Sequence, residues 1–389
     1  MTSRRAGRHF LQIPGPSAVP DRILRAISMQ TIDHRGPDFA DVGKAAIDGM
    51  KSIFKTEKGQ VIIYPASGTG AWEAALINTM SEGDKVLMYE TGHFSMLWMK
   101  MAKRLGLNPE FIAGDWRGGA DPNAIANRLR EDKTHNIKAV CIVHNETSTG
   151  SVSSVAQVRA AIDETGHPAL LMVDSISGLA SVNFRFDAWG VDVCVSGSQK
   201  GLMLPPGISF NCASERAMDV ARTGGMRRSY WDWQDMADLK ATGYFPYTPA
   251  TNMLYGLNEA VAMLHEEGLD NVFDRHIRHG RATRAAVQAW GLEVLCTQQG
   301  QESGVLTAVM MPDGHSADQF RQIVLETFDI SLGNGLSKVA DRVFRIGHLG
   351  DFNDAMLMGT LSGIEMALSK AKVPHSKGGA DAAMAVLAN

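Results

Sequence analysis

The sequence predicts an α/β protein: a mostly parallel sheet with helices on both faces, followed by a smaller α+β unit. Two observations carry this. Between about residues 60 and 215, short apolar runs alternate with amphipathic helical stretches, the pattern of parallel strands buried on both faces. Beyond residue 216 the alternation breaks at an aromatic-rich stretch, and strand-length and helical segments resume only later. The 389 residues exceed one ordinary core and suit two or three domains. The divisions expected are an N-terminal arm at 1–20, a large domain at 21–268 and a small C-terminal domain at 269–389.

The strands of the large unit are read from VIIYP (61–65), VLMYE (86–90), AVCIVH (139–144), ALLMVD (169–174) and DVCVSG (192–197). Each is short, rich in Val, Ile and Leu, and bounded by turn-forming residues. AWEAALINTM (71–80), FSMLWMKMAKRL (94–105) and SVAQVRAAIDET (154–165) repeat apolar residues at three-to-four spacing and are expected helices. ISFNCAS (208–214) is expected to return as a further strand. RRSYWDWQDM and TGYFPYTPATNM, with Tyr230, Trp231, Trp233 and Tyr244, read as an irregular excursion over the surface or into a partner subunit. Helices follow at 256–268 and 271–290, then strands VLTAVMMP (305–312) and VFRIGH (343–348) in the small unit. The Ala/Gly-rich last fifteen residues read as a flexible tail or a docked arm.

Composition narrows the partners. The chain is 44% hydrophobic and 21% charged, and 38 Lys+Arg against 42 Asp+Glu leave a formal net charge of −4. That is a globular balance with no broad field for nucleic acid or an anionic membrane. No apolar run reaches the length of a membrane span. The basic start MTSRRAGRHF runs into no apolar stretch and is not expected to be a secretory signal. Cys141, Cys194, Cys212 and Cys296 lie far apart, the last in a strand-like VLCTQQ. They are expected to be buried reduced thiols in a cytoplasmic protein.

Sites in such sheets lie beyond the carboxyl ends of the strands. Asp174 ends ALLMVD, and Lys200 follows the next strand in SGSQK. A carboxylate and an amine so placed are what pyridoxal phosphate chemistry requires. The amine forms a Schiff base with the aldehyde, and the carboxylate keeps the ring nitrogen protonated. A turn-capping Asp and a solvated Lys would give the same spacing. Ser67, Gly68, Thr69 and Gly70 stand between a strand and a helix. Exposed helix amides beside a hydroxyl make a phosphate site, although a plain Gly-rich turn reads alike. The stretch is neither a mononucleotide P-loop nor a complete dinucleotide fingerprint. HNETSTG (144–150) offers donors to a ring oxygen. Arg345, in an apolar strand, requires an anion, either a substrate carboxylate or an internal acid.

Taken together, PGP (14–16), DHRGP (33–37), SGTGAWEAAL, HNETSTG, VDSISGLAS, SGSQKGLMLPPG, YTP (247–249) and VFRIGHLG resemble the serine–glyoxylate and alanine–glyoxylate aminotransferases, class V enzymes of pyridoxal phosphate fold type I. The resemblance runs from residue 8 to about 372, and GTGAWEAAL and KVADRVFRIGHLG place it nearest the serine–glyoxylate branch. It implies a seven-stranded large-domain sheet, pyridoxal 5′-phosphate as cofactor, amino-acid and 2-oxo-acid substrates, and a homodimer or larger homo-oligomer with shared active sites. Lys200 then matches the Schiff-base lysine and Asp174 the partner of the ring nitrogen. Ser67, Gly68, Thr69, Gly70 and Ala71 match the phosphate loop, assisted by Gln199. Thr147 matches the ring-oxygen contact and Phe94 the stacking aromatic. Thr248 matches a phosphate ligand given to the neighbouring subunit. Arg345 matches the substrate-carboxylate arginine, with Gly15, His34 and Arg35 also in substrate-binding segments.

Two departures bear on specificity. Ser175 stands where relatives more often carry Gly, and His34 where plant serine–glyoxylate enzymes carry Tyr. DHR also resembles the bacterial aspartate–glyoxylate enzymes, so aspartate and alanine stay open as donors beside serine. A lyase or desulfurase on the same scaffold is a more distant reading, because all four cysteines fall in expected strands. A non-catalytic relative is more distant still, given the intact Lys200, Asp174 and Arg345. Met96, Met99 and Met101 read as packing, Trp72 as packing, and His144 and His348 as hydrogen-bonded structural residues. No helical His pair suggests a catalytic metal.

Overall fold

The computed structural model describes residues 6–239 and 241–389. The start of the basic N-terminal stretch therefore lies outside the described residues. Seven strands form the large sheet, in the spatial order Gln60–Tyr64, Ser209–Ala213, Val193–Gly197, Leu170–Asp174, Ile137–Val143, Lys85–Tyr89 and Asn108–Ile112. All neighbours are parallel except Ser209–Ala213, which runs antiparallel to both of its partners. The expected mostly parallel, seven-stranded sheet is present.

Alternation within the apolar strands explains why they are continuously hydrophobic. Val61 and Ile63 enter a core with Phe39, Phe54 and Phe210, whereas Ile62 and Tyr64 enter the opposite core with Trp72, Trp98 and Trp233. Successive side chains point to opposite faces, and both faces are covered. The sequence pattern missed Asn108–Ile112, an edge strand that carries Pro109 and little apolar character. Proline is tolerated there because an edge needs no donor on its free side.

A second sheet, of five strands, is ordered Phe10–Gln12, Ile330–Asn334, Val343–Gly347, Leu306–Met310 and Glu293–Val294. Its first strand comes from the N-terminal segment and pairs parallel with Ile330–Asn334, Phe10 opposite Ile330. Both strands went unread in the sequence. A third core, around Phe320, Phe344 and Trp290, lies on this sheet.

Two local expectations are corrected, and of the two readings of the C-terminal stretch the docked arm is the one found. The aromatic stretch is irregular over 224–232, with Tyr230 exposed, but it then holds the helix Trp233–Leu239, whose Trp233 is fully buried. Asn78 anchors it by donating to the Trp231 carbonyl at 2.7 Å and accepting from the Trp233 amide at 3.1 Å. The C-terminal stretch forms the helix Gly379–Leu387, docked on the long helix Leu269–Ala289. Cys296 lies beyond the two-residue strand Glu293–Val294, although it is buried like the other three cysteines. Among the described residues, no helix is long and apolar enough to cross a membrane.

Candidate active site

The carboxyl ends of the parallel strands and the helix Gly68–Thr79 enclose a cavity of about 120 Å³. Ser67, Gly68, Thr69, Phe94, Thr147, Asp174, Gln199 and Lys200 line it, whereas Gly15, Gly70, Ala71 and Arg345 do not. Its floor is set by the helix N-terminus. Ser67 stands at the N-cap in an extended conformation, and its side chain caps no amide of the helix. The Gly68 and Thr69 N–H groups and the Ser67 and Thr69 hydroxyls can therefore serve an anion, while the Gly70 and Ala71 N–H groups donate to the Ser67 carbonyl. Gly68 packs close to Ile176: a Cβ there would fall 2.4 Å from the end of that side chain, which would have to shift. Gly70 and Ala71 continue the helix behind this floor: Gly70 packs against Trp231, and the Ala71 carbonyl accepts from Asn211 at 3.0 Å.

Asp174 is buried at the strand end, with its carboxylate fixed by two donors. The Ile176 amide reaches Oδ1 at 2.8 Å and the Trp72 indole N–H reaches Oδ2 at 3.1 Å. Burial pushes this carboxyl up to about 7, against the pull of the Ile176 N–H and with some help from the nearby Glu146 charge. Trp72 is thus a polar partner as well as a packing residue, a role the sequence reading missed.

Lys200 donates from Nζ to the Pro14 carbonyl at 2.8 Å. Burial, then the charge of Arg345, lowers its amine to about 8, close to neutral pH for a group that must lose and regain a proton. Gly15 crowds it: with φ at +102°, a Cβ would sit 2.4 Å from Nζ. Ser17 completes the contact by donating to the Lys200 carbonyl at 2.9 Å.

Arg345, 7% exposed, donates from Nε to the Asn334 carbonyl and from Nη1 to the Thr147 carbonyl, each at 2.7 Å. Burial lowers it to about 10, opposed by the Glu146 charge. The internal partners are therefore carbonyls, and these neutralise no charge. Glu146 is fully buried; it accepts from the Ser148 hydroxyl at 2.6 Å and from the Phe94 and Ser95 amides at 3.3 and 3.2 Å. It thereby fixes the first turn of the helix His93–Arg104, which carries Phe94 into the cavity.

Asn145 also lines the cavity and was missed. Its amide donates to Ser177 at 2.8 Å and accepts from Ser303 at 2.7 Å. Its place beside Thr147 in HNETSTG was the available signal. Thr248 and Arg35 are exposed and His34 half-buried, and none of the three lines the cavity in this chain. His144 bonds Ser175 at 3.0 Å and His348 bonds Thr307 at 3.2 Å, both fully enclosed.

This donor set fits pyridoxal phosphate. A helix N-terminus suits the phosphate, a flanking phenyl ring the pyridine, a buried carboxylate the ring nitrogen and an enclosed amine the aldehyde. Gln199 also lines the cavity, with its buried Oε1 left without a hydrogen-bond partner, and its amide N–H groups are the donors it could offer a phosphate. Among the described residues, no group of three or more His, Cys, Asp or Glu is disposed to hold a metal ion.

A family profile described as Aminotransferase class-V matches residues 10–345. The chain is 47% identical over 371 residues to the serine–glyoxylate aminotransferase of Methylorubrum extorquens, covering 94% of this chain and 92% of the relative. It is 42% identical over 371 residues to the L-aspartate–glyoxylate aminotransferase of Paracoccus denitrificans, covering 95% and 94%. Among solved structures, ureidoglycine–glyoxylate aminotransferase from Bacillus subtilis superposes with a TM-score of 0.90 at 27% identity, covering 99% of this chain and 100% of that one.

Proposed function

The chain belongs to the class V aminotransferase family, and on that premise we propose that it moves the amino group of L-serine to glyoxylate, giving hydroxypyruvate and glycine. It is a pyridoxal phosphate-dependent aminotransferase. The observation that carries the reading is the convergence of Asp174, Lys200 and a helix N-terminus on one cavity, with Arg345 within electrostatic reach of Lys200. Serine as donor is supported by the 47% identity to the Methylorubrum extorquens enzyme.

When bound, the cofactor supplies an electron sink that lets the α-carbon of the substrate lose its proton. The protein's residues do the rest. Ser67, Gly68, Thr69, Gly70, Ala71 and Gln199 would hold the phosphate end, Asp174 would pair with the ring nitrogen, and Phe94 and Thr147 would serve the ring and its oxygen. Lys200 would attach the cofactor through its amine, and that amine is the group placed to move a proton to and from the substrate α-carbon. Arg345 grips the substrate carboxylate through its planar fork, with Gly15 shaping the space beside the lysine. A two-carbon acceptor offers little surface, so orientation comes mainly from that grip.

The same reading makes the protein a cytoplasmic homodimer at minimum, with no nucleic-acid or membrane partner. The partner subunit's Thr248 reaches the phosphate, and the partner's His34 and Arg35 approach the substrate. It also divides the chain into an arm at 1–20, a cofactor domain at 21–268 and a small domain at 269–389. A second reading has aspartate as donor, favoured by the 42% identity to the Paracoccus denitrificans enzyme. Steady-state kinetics with serine and glyoxylate should give the parallel lines of a two-step exchange. Intersecting lines would refute the mechanism, and a donor panel against glyoxylate decides between serine, aspartate and alanine.

A further inference from the structure

Trp72 lies four residues into the helix Gly68–Thr79, directly above Gly68 on the face that floors the cavity. Helical side chains lean toward the N-terminus, so the indole tips toward the site. Its plane is held by Trp98 of the helix His93–Arg104, stacked at 6.0 Å and 12°. The rotation so fixed brings Nε1 to 3.1 Å from Asp174 Oδ2, while the Ile176 amide takes Oδ1 at 2.8 Å. Each carboxylate oxygen thus has one neutral donor. No arginine or histidine contacts this carboxylate among the described residues. The charged and titratable groups facing Asp174 are Lys200, the buried Glu146, whose charge is unfavourable, and the buried Cys194 thiol on the adjacent strand. In such surroundings a carboxylate without donors takes up a proton.

We propose that Trp72 is a positioning residue for the cofactor: its indole N–H, with the Ile176 amide, holds the Asp174 carboxylate charged and in a fixed orientation for the ring nitrogen of pyridoxal phosphate. This rests on the cofactor reading above. Hydrogen bonds to charged groups are the stronger ones, so the effect on binding should be measurable with the ring stack left in place.

The test uses Trp72→Phe, which keeps an aromatic ring against Trp98 and removes the N–H. Pyridoxal phosphate affinity, followed by visible absorbance, should weaken about tenfold near neutral pH. The acid side of its pH profile should move upward by about one unit, because losing a donor makes Asp174 easier to protonate. In the cofactor-free protein, the Trp72 indole N–H resonance, assigned through its loss in Trp72→Phe, should shift with pH and stop doing so in Asp174→Asn. In the Asp174→Asn background, Trp72→Phe should have little further effect on affinity. Additive losses, an unmoved pH profile or a pH-insensitive indole signal would overturn the proposal and leave Trp72 as packing. Wild-type protein that takes up no pyridoxal phosphate would instead defeat the cofactor reading, and this proposal with it.

Discussion

The Pro14 carbonyl and the Lys200 ammonium are joined by a 2.8 Å hydrogen bond across 186 positions of sequence. The bond ties the segment leading out of the small sheet to the amine at the heart of the site. Gly15, next in the chain, has no room for a side chain against the lysine.

Gly15→Ala is expected to disable the enzyme without unfolding it. A Cβ would lie 2.3 Å from Lys200 Cδ and demand φ near +102° of an alanine. The strained backbone costs about 1–3 kcal/mol, and the flexible lysine must swing off Pro14. Thermal melts should show a modest drop, while cofactor uptake and turnover fall far more.

Arg345→Ala should raise KM for donor and acceptor together and leave cofactor uptake intact. Losing a buried charge-assisted contact should lower kcat/KM by about 2–5 kcal/mol in free-energy terms. Lysine should rescue poorly, because it lacks the planar fork. If cofactor is lost instead, the bond from Arg345 to the Thr147 carbonyl is the function that matters.

Asp174→Asn should stabilise the cofactor-free protein at pH 8 while weakening cofactor binding. The folded carboxyl is raised to about 7 by burial, above the unfolded value near 4. The folded state therefore holds this proton where the unfolded state has released it. Stability falls as pH rises between those values and is flat above them, a penalty on the order of a few kcal/mol. Denaturant titrations of both proteins at pH 4 and 8 measure the difference, which should shrink at the lower pH.

Acid should unfold the protein through buried histidines. His276 is lowered to about 3 by burial, with Nδ1 bonded to the Val272 carbonyl at 2.7 Å and Nε2 accepting from the Gly350 amide at 3.2 Å. Burial lowers His348 as well. Both are neutral when folded and charged when unfolded below about pH 6.5, so stability present above that pH is lost as pH falls. The loss between pH 7 and 5 should approach about 2 kcal/mol for His276, with a further loss in the same direction from His348. His276→Gln/His348→Gln should flatten the decline in Tm, even with a lower starting value.

Legibility followed physical reach along the chain. The central strands were readable because burial on both faces makes them continuously apolar, and Asp174 and Lys200 were readable because they break that pattern at the strand ends. Asn108–Ile112 was not, since an edge strand carries proline and polar residues without penalty. Phe10–Gln12 was not, since three residues have no period and their partner lies over 300 positions away. Trp72 and Asn145 stood in motifs already read. Their roles depend on what faces them across the fold, the carboxylate of Asp174 and the hydroxyls of Ser177 and Ser303, and spacing does not encode that.

The parallel pairing of Phe10–Gln12 with Ile330–Asn334 also sets a timetable for synthesis. A ribosome working at roughly 5–20 residues per second delivers the second strand about 15–60 s after the first. Once Lys200 has been made, the growing chain contains it for the rest of that interval, but the strand Phe10–Gln12, just before Pro14 and Gly15, has no partner. The reactive amine is therefore finished last, by the carboxyl-terminal third of the chain. A polypeptide cut short before Ile330 lacks the strand that pairs with Phe10–Gln12 and is left with the Ser17 bonds to Gln199 and Lys200 to hold the strap across its lysine.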